Sequence, residues 1–217
     1  TFGFPMSGSG RESLPQVTQY VAVDQDLNFM RQQLMEYLRQ QALLHLGDAP
    51  PDHPENISLD ELISAAGAIY ASQHEHETYR VLASLPLPIY ITTNPGNLLG
   101  DALTAAGKKP VIEICRWRDD LAALPSIYDR EPDYKPTAER PLVYHLFGRL
   151  DEADSVVLTE DDYFDYLIGV TSNNDLVPPA VRRALIDTAL LFLGFNLEEW
   201  DFRVLFRSIM QREGRNR

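Results

Sequence analysis

One stretch, residues 86–99 with the sequence PLPIYITTNPGNLL, constrains the fold of this chain more than any other. Leu87, Ile89, Tyr90 and Ile91 make a short apolar, β-branched and aromatic run, the pattern of a buried strand. Thr92, Thr93 and Asn94 end it, and Pro95 follows. Asn is a favoured N-cap and Pro a favoured first helical residue, so the spacing predicts a helix starting at Asn94-Pro95. A strand running straight into a helix N-terminus is where open α/β sheets place a ligand. The free N–H groups and dipole of the helix favour phosphate or another anion there. On local grounds alone, Asn94 is a simple helix cap.

The rest of the chain alternates in the same way. Residues 110–117 (PVIEICRW), 142–150 (LVYHLFGRL) and 189–195 (ALLFLGF) read as buried strands, and 155–158 as a short extended piece. Helices are predicted over 14–23 and over 27–46, where Phe29, Leu34, Tyr37, Leu38, Ala42 and Leu46 keep helical spacing and Gly47 supplies the stop. Ser58 and Glu61 form a capping box that opens a helix over 58–84, broken at Gly67 or near His74. Further helices start after Thr159, at Pro178-Pro179, and at Asn196 with Glu199 in the capping-box position. Residues 119–140, with Pro125, Pro132 and Pro136, read as a long loop with one helical turn, and such loops are often functional. Strands alternating with helices define an α/β fold with a mainly parallel sheet flanked by helices, preceded by a helical N-terminal part.

One domain is expected over 14–217, helical over 14–84 and sheet-bearing over 85–217. Residues 1–13 read as a flexible segment, because no strand precedes Ser7-Gly8-Ser9-Gly10. A start at Thr1 without methionine suggests a piece of a longer, multidomain protein. The 217 residues carry a net charge of −13, which argues against a nucleic-acid or anionic-membrane partner. A single cysteine, Cys115, excludes a disulfide framework and a Cys-based zinc site. No apolar run approaches the ~20 residues of a membrane span, and no signal peptide is visible, so a cytoplasmic location is expected. His74-Glu75-His76-Glu77 suggests a metal, but histidines two apart on a helix point away from each other.

Taken in order, TTN at a strand end, HLFGR, SVVLTEDDYFDYL and LLFLGFNLEEWDFRVLF together resemble the sirtuin-like domain of bacterial defence proteins. The resemblance covers roughly residues 86–209, with a weaker match at LPQVTQYVAV. It implies a Rossmann-like fold, NAD as ligand or substrate, and hydrolysis of NAD to nicotinamide and ADP-ribose as a suicidal response to phage. It further implies cofactor-binding positions at Thr92, Thr93, Asn94, Phe147, Gly148, Gly194 and Asn196, and partners among other domains of the same protein and in a homo-oligomer. The family's first strand and Gly-rich nucleotide loop are then expected upstream of Thr1.

Two positions depart from the family pattern within the chain. The Asp of the TTN-x-Asp motif falls on Gly96, and the catalytic His of Lys-Leu-His-Gly falls on Phe147. Cleaving the nicotinamide–ribose bond requires a water steered to an oxocarbenium-like centre; an imidazole accepts its proton near neutral pH and a phenyl ring does not. Asn94 and His145 are the candidate catalytic residues. On a continued strand His145 shares a face with Phe147, about 7 Å away. Gly194 and Asn196 fall where the family carries a Gly-x-Ser beside the adenosine, although Asn196 also reads as a cap and Glu198 and Glu199 oppose a phosphate there. A deacylase is the least consistent reading, because the cysteines of its zinc module are absent. An NAD-consuming effector and a degenerate module with a structural, interaction or nucleotide-sensing role both remain compatible with the sequence.

Overall fold

The computed structural model describes residues 13–47, 56–173, 176–194 and 207. Helices α1 (Leu14–Asp24), α2 (Leu27–Leu46), α3 (Leu59–Gln73) and α4 (Thr78–Ser84) precede the first strand. They are followed by β1 (Ile89–Thr92), α5 (Leu98–Ala105), β2 (Val111–Ile114), α6 (Ile127–Arg130), β3 (Leu142–His145), α7 (Glu160–Ser172) and α8 (Pro179–Asp187). Short 3₁₀ turns lie at Asp119–Ala123 and Ala153–Ser155.

Local chemistry sets most of these boundaries. Ser58 Oγ accepts the Glu61 N–H at 3.2 Å and the Glu61 carboxylate accepts the Ser58 N–H at 3.0 Å, closing the capping box that starts α3. At the other end, His74 donates Nδ1–H to the Tyr70 carbonyl at 2.8 Å and stacks on the Tyr70 ring. Glu77 then accepts the N–H groups of Tyr79 and Arg80 and starts α4. The His-Glu-His-Glu run is thus the stop of one helix and the start of the next. Among the described residues no group of His, Cys, Asp or Glu is placed to hold a metal.

The sheet is parallel, in the order β1-β3-β2, with Ile89 and Val111 both level with Leu142. Parallel strands covered on both faces read as continuous apolar runs, and all four residues of β3 are buried. Alternation along β3 divides the core. Leu142 and Tyr144 face a cluster with Cys115, Trp117, Tyr166, Val170 and Val181, built on α7 and α8. Val143 faces Tyr90, Ala83, Leu99 and Leu103 on α4 and α5. Helices on both faces of a parallel sheet give the Rossmann-like α/β architecture expected from the pattern. The helical part folds back on this unit, with α1 against α2 and α7, α2 against α3, and α3 against α5.

Helix α7 starts at Thr159, whose hydroxyl accepts the Asp162 N–H at 3.0 Å, while Asp162 accepts the N–H groups of Leu158 and Thr159. Losing an N-cap costs about 1 kcal/mol. Thr159→Ala is therefore expected to lower the unfolding free energy by about that amount in a urea titration; an unchanged midpoint would contradict the assignment.

Several expected elements are shorter or absent. The strand read over 142–150 ends at His145, because Leu146 and Phe147 turn away into the α7 side of the core. The long loop 119–140 carries two ordered turns, the 3₁₀ turn and α6; the buried Glu113 carboxylate accepts the Ile127 N–H and the Ser126 hydroxyl and pins it to β2. The run Ala189–Gly194 does not form the expected buried strand: Leu191 is 69% and Leu193 50% exposed, and neither sheet edge pairs with it. An apolar run does not by itself provide a partner edge. The predicted final helix, with Asn196, Glu198 and Glu199, lies outside the described residues. Among the described helices none is long and apolar enough to cross a membrane.

Candidate functional site

Parallel register puts the ends of β1 and β3 side by side, with Thr92 level with His145 and the Leu146 N–H donated to the Thr92 carbonyl at 2.8 Å. The two segments that leave these strands are then tied together, since Leu150 donates its N–H to the Pro95 carbonyl at 3.0 Å. This carboxyl edge of the sheet is where ligands bind in open α/β folds.

Asn94 lies in that junction, but it does not cap a helix. Its Oδ1 accepts the Gly96 N–H at 2.9 Å, a side-chain turn spanning Pro95, and α5 begins only at Leu98. The Asn94 N–H is donated to Thr92 Oγ1 at 3.0 Å, and its Nδ2 donates to the Tyr79 hydroxyl at 2.9 Å. Asn side chains compete with helix starts by making such local bonds, which is why the expected cap fails here.

The N-terminus of α5 is also less open to an anion than the sequence suggests. Asp60 sets its carboxylate against the Asn97 backbone N–H, and Asp101 in the first turn accepts from Ser64 Oγ at 2.6 Å and Asn97 Nδ2 at 2.8 Å. Burial pushes the Asp60 carboxyl above its usual range, against the pull of Arg149, whose Nη2 lies 3.4 Å away. Negative charge already fills the positive end of the helix dipole.

His145 is 1% exposed and faces the α4–α5 side of the sheet, as Val143 does. Its Nδ1 lies 3.0 Å from the Asn94 carbonyl, which only accepts, so Nδ1 carries the proton. Nε2 is then a bare acceptor, buried without a partner. Desolvation, reinforced by the nearby Arg149 cation, pulls the imidazole down to about 4 despite the bond to Asn94. At neutral pH His145 is an uncharged strut under the Asn94 backbone.

Phe147 does not share the face of His145. The turn after β3 swings it onto Tyr166 and Tyr163, with ring centroids 5.2 and 5.7 Å away, while its carbonyl accepts the Val157 N–H at 3.1 Å. Gly148 follows with φ +81°, and its backbone lies hard against Ser155. Thr93 follows β1 in the same junction, and Gly194 lies at the end of the described run after α8, where no atom of the described residues comes within 4 Å of the position a Cβ would take.

A cleft of about 790 Å³ opens beside Asn94, between α2, α3, α4 and α5. Asn94, Tyr79 and Arg80 line one part of it; Ala66, Gly67 and Ala102 are among those lining the rest, with Leu150 from the loop after β3. That volume suits a small organic ligand, with a mostly apolar wall and a few convergent polar groups. His145 is not among the lining residues. Two contributors escaped the sequence reading: Tyr79, in a helix with no motif, and Asp60, visible only as part of a capping box.

This site lies in a stretch with family relatives. Residues 88–217 match the model of the SIR2-like domain, and the chain belongs to that family. Among curated proteins it is similar to the NAD(+) hydrolase ThsA of Cytobacillus dafuensis, 31% identical over 144 residues that make up 65% of this chain and 26% of that protein. The NAD(+) hydrolase ThsA of Enterococcus faecium is 28% identical over 123 residues, 57% of this chain and 22% of that protein. The matched stretch thus spans about a quarter of the length of these relatives.

Proposed function

We propose that this domain binds NAD at the carboxyl edge of the sheet with Asn94 at its reacting end, as part of an NAD-linked anti-phage defence protein. One observation carries the reading: Asn94 is held at the switch from β1 to α5 with its side-chain amide lining the cleft. The cleft fits the cationic nicotinamide end of NAD better than its phosphates, since Asp60 and Asp101 crowd the neighbouring helix start. Membership in the SIR2-like family and similarity to proteins named NAD(+) hydrolases point the same way.

A specific observation favours binding with weak or no cleavage. Phe147 stands where the family resemblance puts the catalytic His, and its ring packs into the Tyr163–Tyr166 cluster. The imidazole nearest Asn94 is buried, its Nε2 has no partner, and it does not line the cleft. A base so placed adds little of the roughly 10²- to 10⁴-fold that general base assistance supplies. NAD is expected to raise the melting temperature of the chain, and Asn94→Asp, which keeps the turn to Gly96 but loses the amide donor, is expected to abolish that rise. A wild-type melting curve indifferent to millimolar NAD would overturn the reading. Nicotinamide release is expected to stay near background; rapid release would remove the weak-cleavage half and leave the binding half.

A further inference from the structure

We propose that Tyr79 is a positioning residue that sets the orientation of the Asn94 side-chain amide, so that helix α4 is part of the ligand site. The proposal rests on the reading that Asn94 meets the ligand, and it concerns a residue upstream of the matched segment 88–217.

The hydrogen-bond directions leave one arrangement. The Gly96 N–H only donates, so the oxygen of the Asn94 amide must face it, at 2.9 Å. The nitrogen then faces Tyr79, whose hydroxyl oxygen accepts at 2.9 Å. With both partners in place the amide keeps one N–H and one oxygen lone pair for a ligand in the cleft that both residues line. Without Tyr79 the amide has a single anchor and turns more freely.

Tyr79 is itself held still. Its ring packs against the Ala83–Tyr90–Leu99 cluster, and its backbone N–H is donated to Glu77 at the start of α4. The neighbouring Arg80 ties α4 to α3 by donating from Nη1 to the Ala71 carbonyl at 3.0 Å. The Tyr90 hydroxyl reaches the Leu82 and Leu85 carbonyls at 3.0 and 3.1 Å and ties the far end of α4 to β1. A phenol fixed by packing and presented to a functional amide is the arrangement of a support that limits side-chain motion in a binding site.

The test compares wild type with Tyr79→Phe, read by calorimetry with NAD. Tyr79→Phe keeps the ring in its cluster, so its melting temperature is expected to match wild type. Its NAD affinity is expected to fall three- to tenfold, the scale of one lost hydrogen bond. An unchanged NAD affinity in Tyr79→Phe would overturn the proposal. A second readout does not depend on NAD. The side-chain amide resonances of Asn94, assigned by their disappearance in Asn94→Asp, are expected to shift in Tyr79→Phe. If wild type ignores NAD yet these resonances move, the NAD reading fails and the Tyr79 support stands. Resonances that stay put would overturn the support whatever NAD does.

Discussion

Gly148→Ala is expected to destabilise the protein by about 3 to 5 kcal/mol, enough to lower the melting temperature by roughly 10 °C or more. Two costs add. At φ +81° an L-residue pays for the left-handed conformation, about 1 to 2 kcal/mol. The new methyl would also collide with the backbone oxygen and carbonyl carbon of Ser155 and with its hydroxyl. Ser155 has nowhere to retreat: it is fully buried, its carbonyl accepts Trp117 Nε1–H at 2.9 Å, and its hydroxyl accepts the Arg149 N–H at 2.9 Å. Gly107→Ala is the control. Its φ is +80°, with nothing within 4 Å of the added carbon, so it isolates the backbone term. Equal losses for the two variants by urea unfolding would show that the close approach at Gly148 costs nothing.

Between pH 6.5 and 4 the wild type is expected to lose on the order of 3 kcal/mol more stability than His145→Asn. The sign follows from burial. The folded imidazole sits at about 4, below the ordinary value of 6.5, so in this window the unfolded chain binds the proton and the folded chain refuses it. The contribution is whole above the unfolded value and drains away as pH falls towards the folded one. Asn at position 145 can still donate to the Asn94 carbonyl but does not titrate. Burial raises Asp60, which acts with opposite sign in both proteins, so the difference between them isolates the imidazole. Parallel pH profiles of unfolding free energy in the two proteins would contradict the buried, neutral assignment.

Elements with their own local chemistry were legible in the sequence. The capping boxes at Ser58 and Thr159 fixed helix starts because their partners lie three residues away. β1, β2 and β3 were legible as apolar runs, though their ends were not, since pairing rather than hydrophobicity stops a strand. Asn94 was singled out by residue type and neighbours, but its local bond to Gly96 outcompeted the cap. The face of Phe147 was misjudged because the periodicity of a strand was carried past His145, where the strand ends. Tyr79 left no trace and Asp60 only its place in a capping box, because their roles come from tertiary contact between α3, α4 and the sheet.

The strand order β1-β3-β2 carries a consequence for how the chain acquires its structure. Among the described residues β1 and β2 do not pair with each other; each pairs with β3, which follows both in the chain. Until residues 142–145 are available, β1 and β2 lack the partner that each has among the described strands, and neither of these two pairings forms locally. Contacts this distant in sequence slow the search for the native state, because long loops must close before any pairing rewards them. On a ribosome both pairings therefore wait for the emergence of β3, and β1 and β2 keep their β3-facing edges exposed until then.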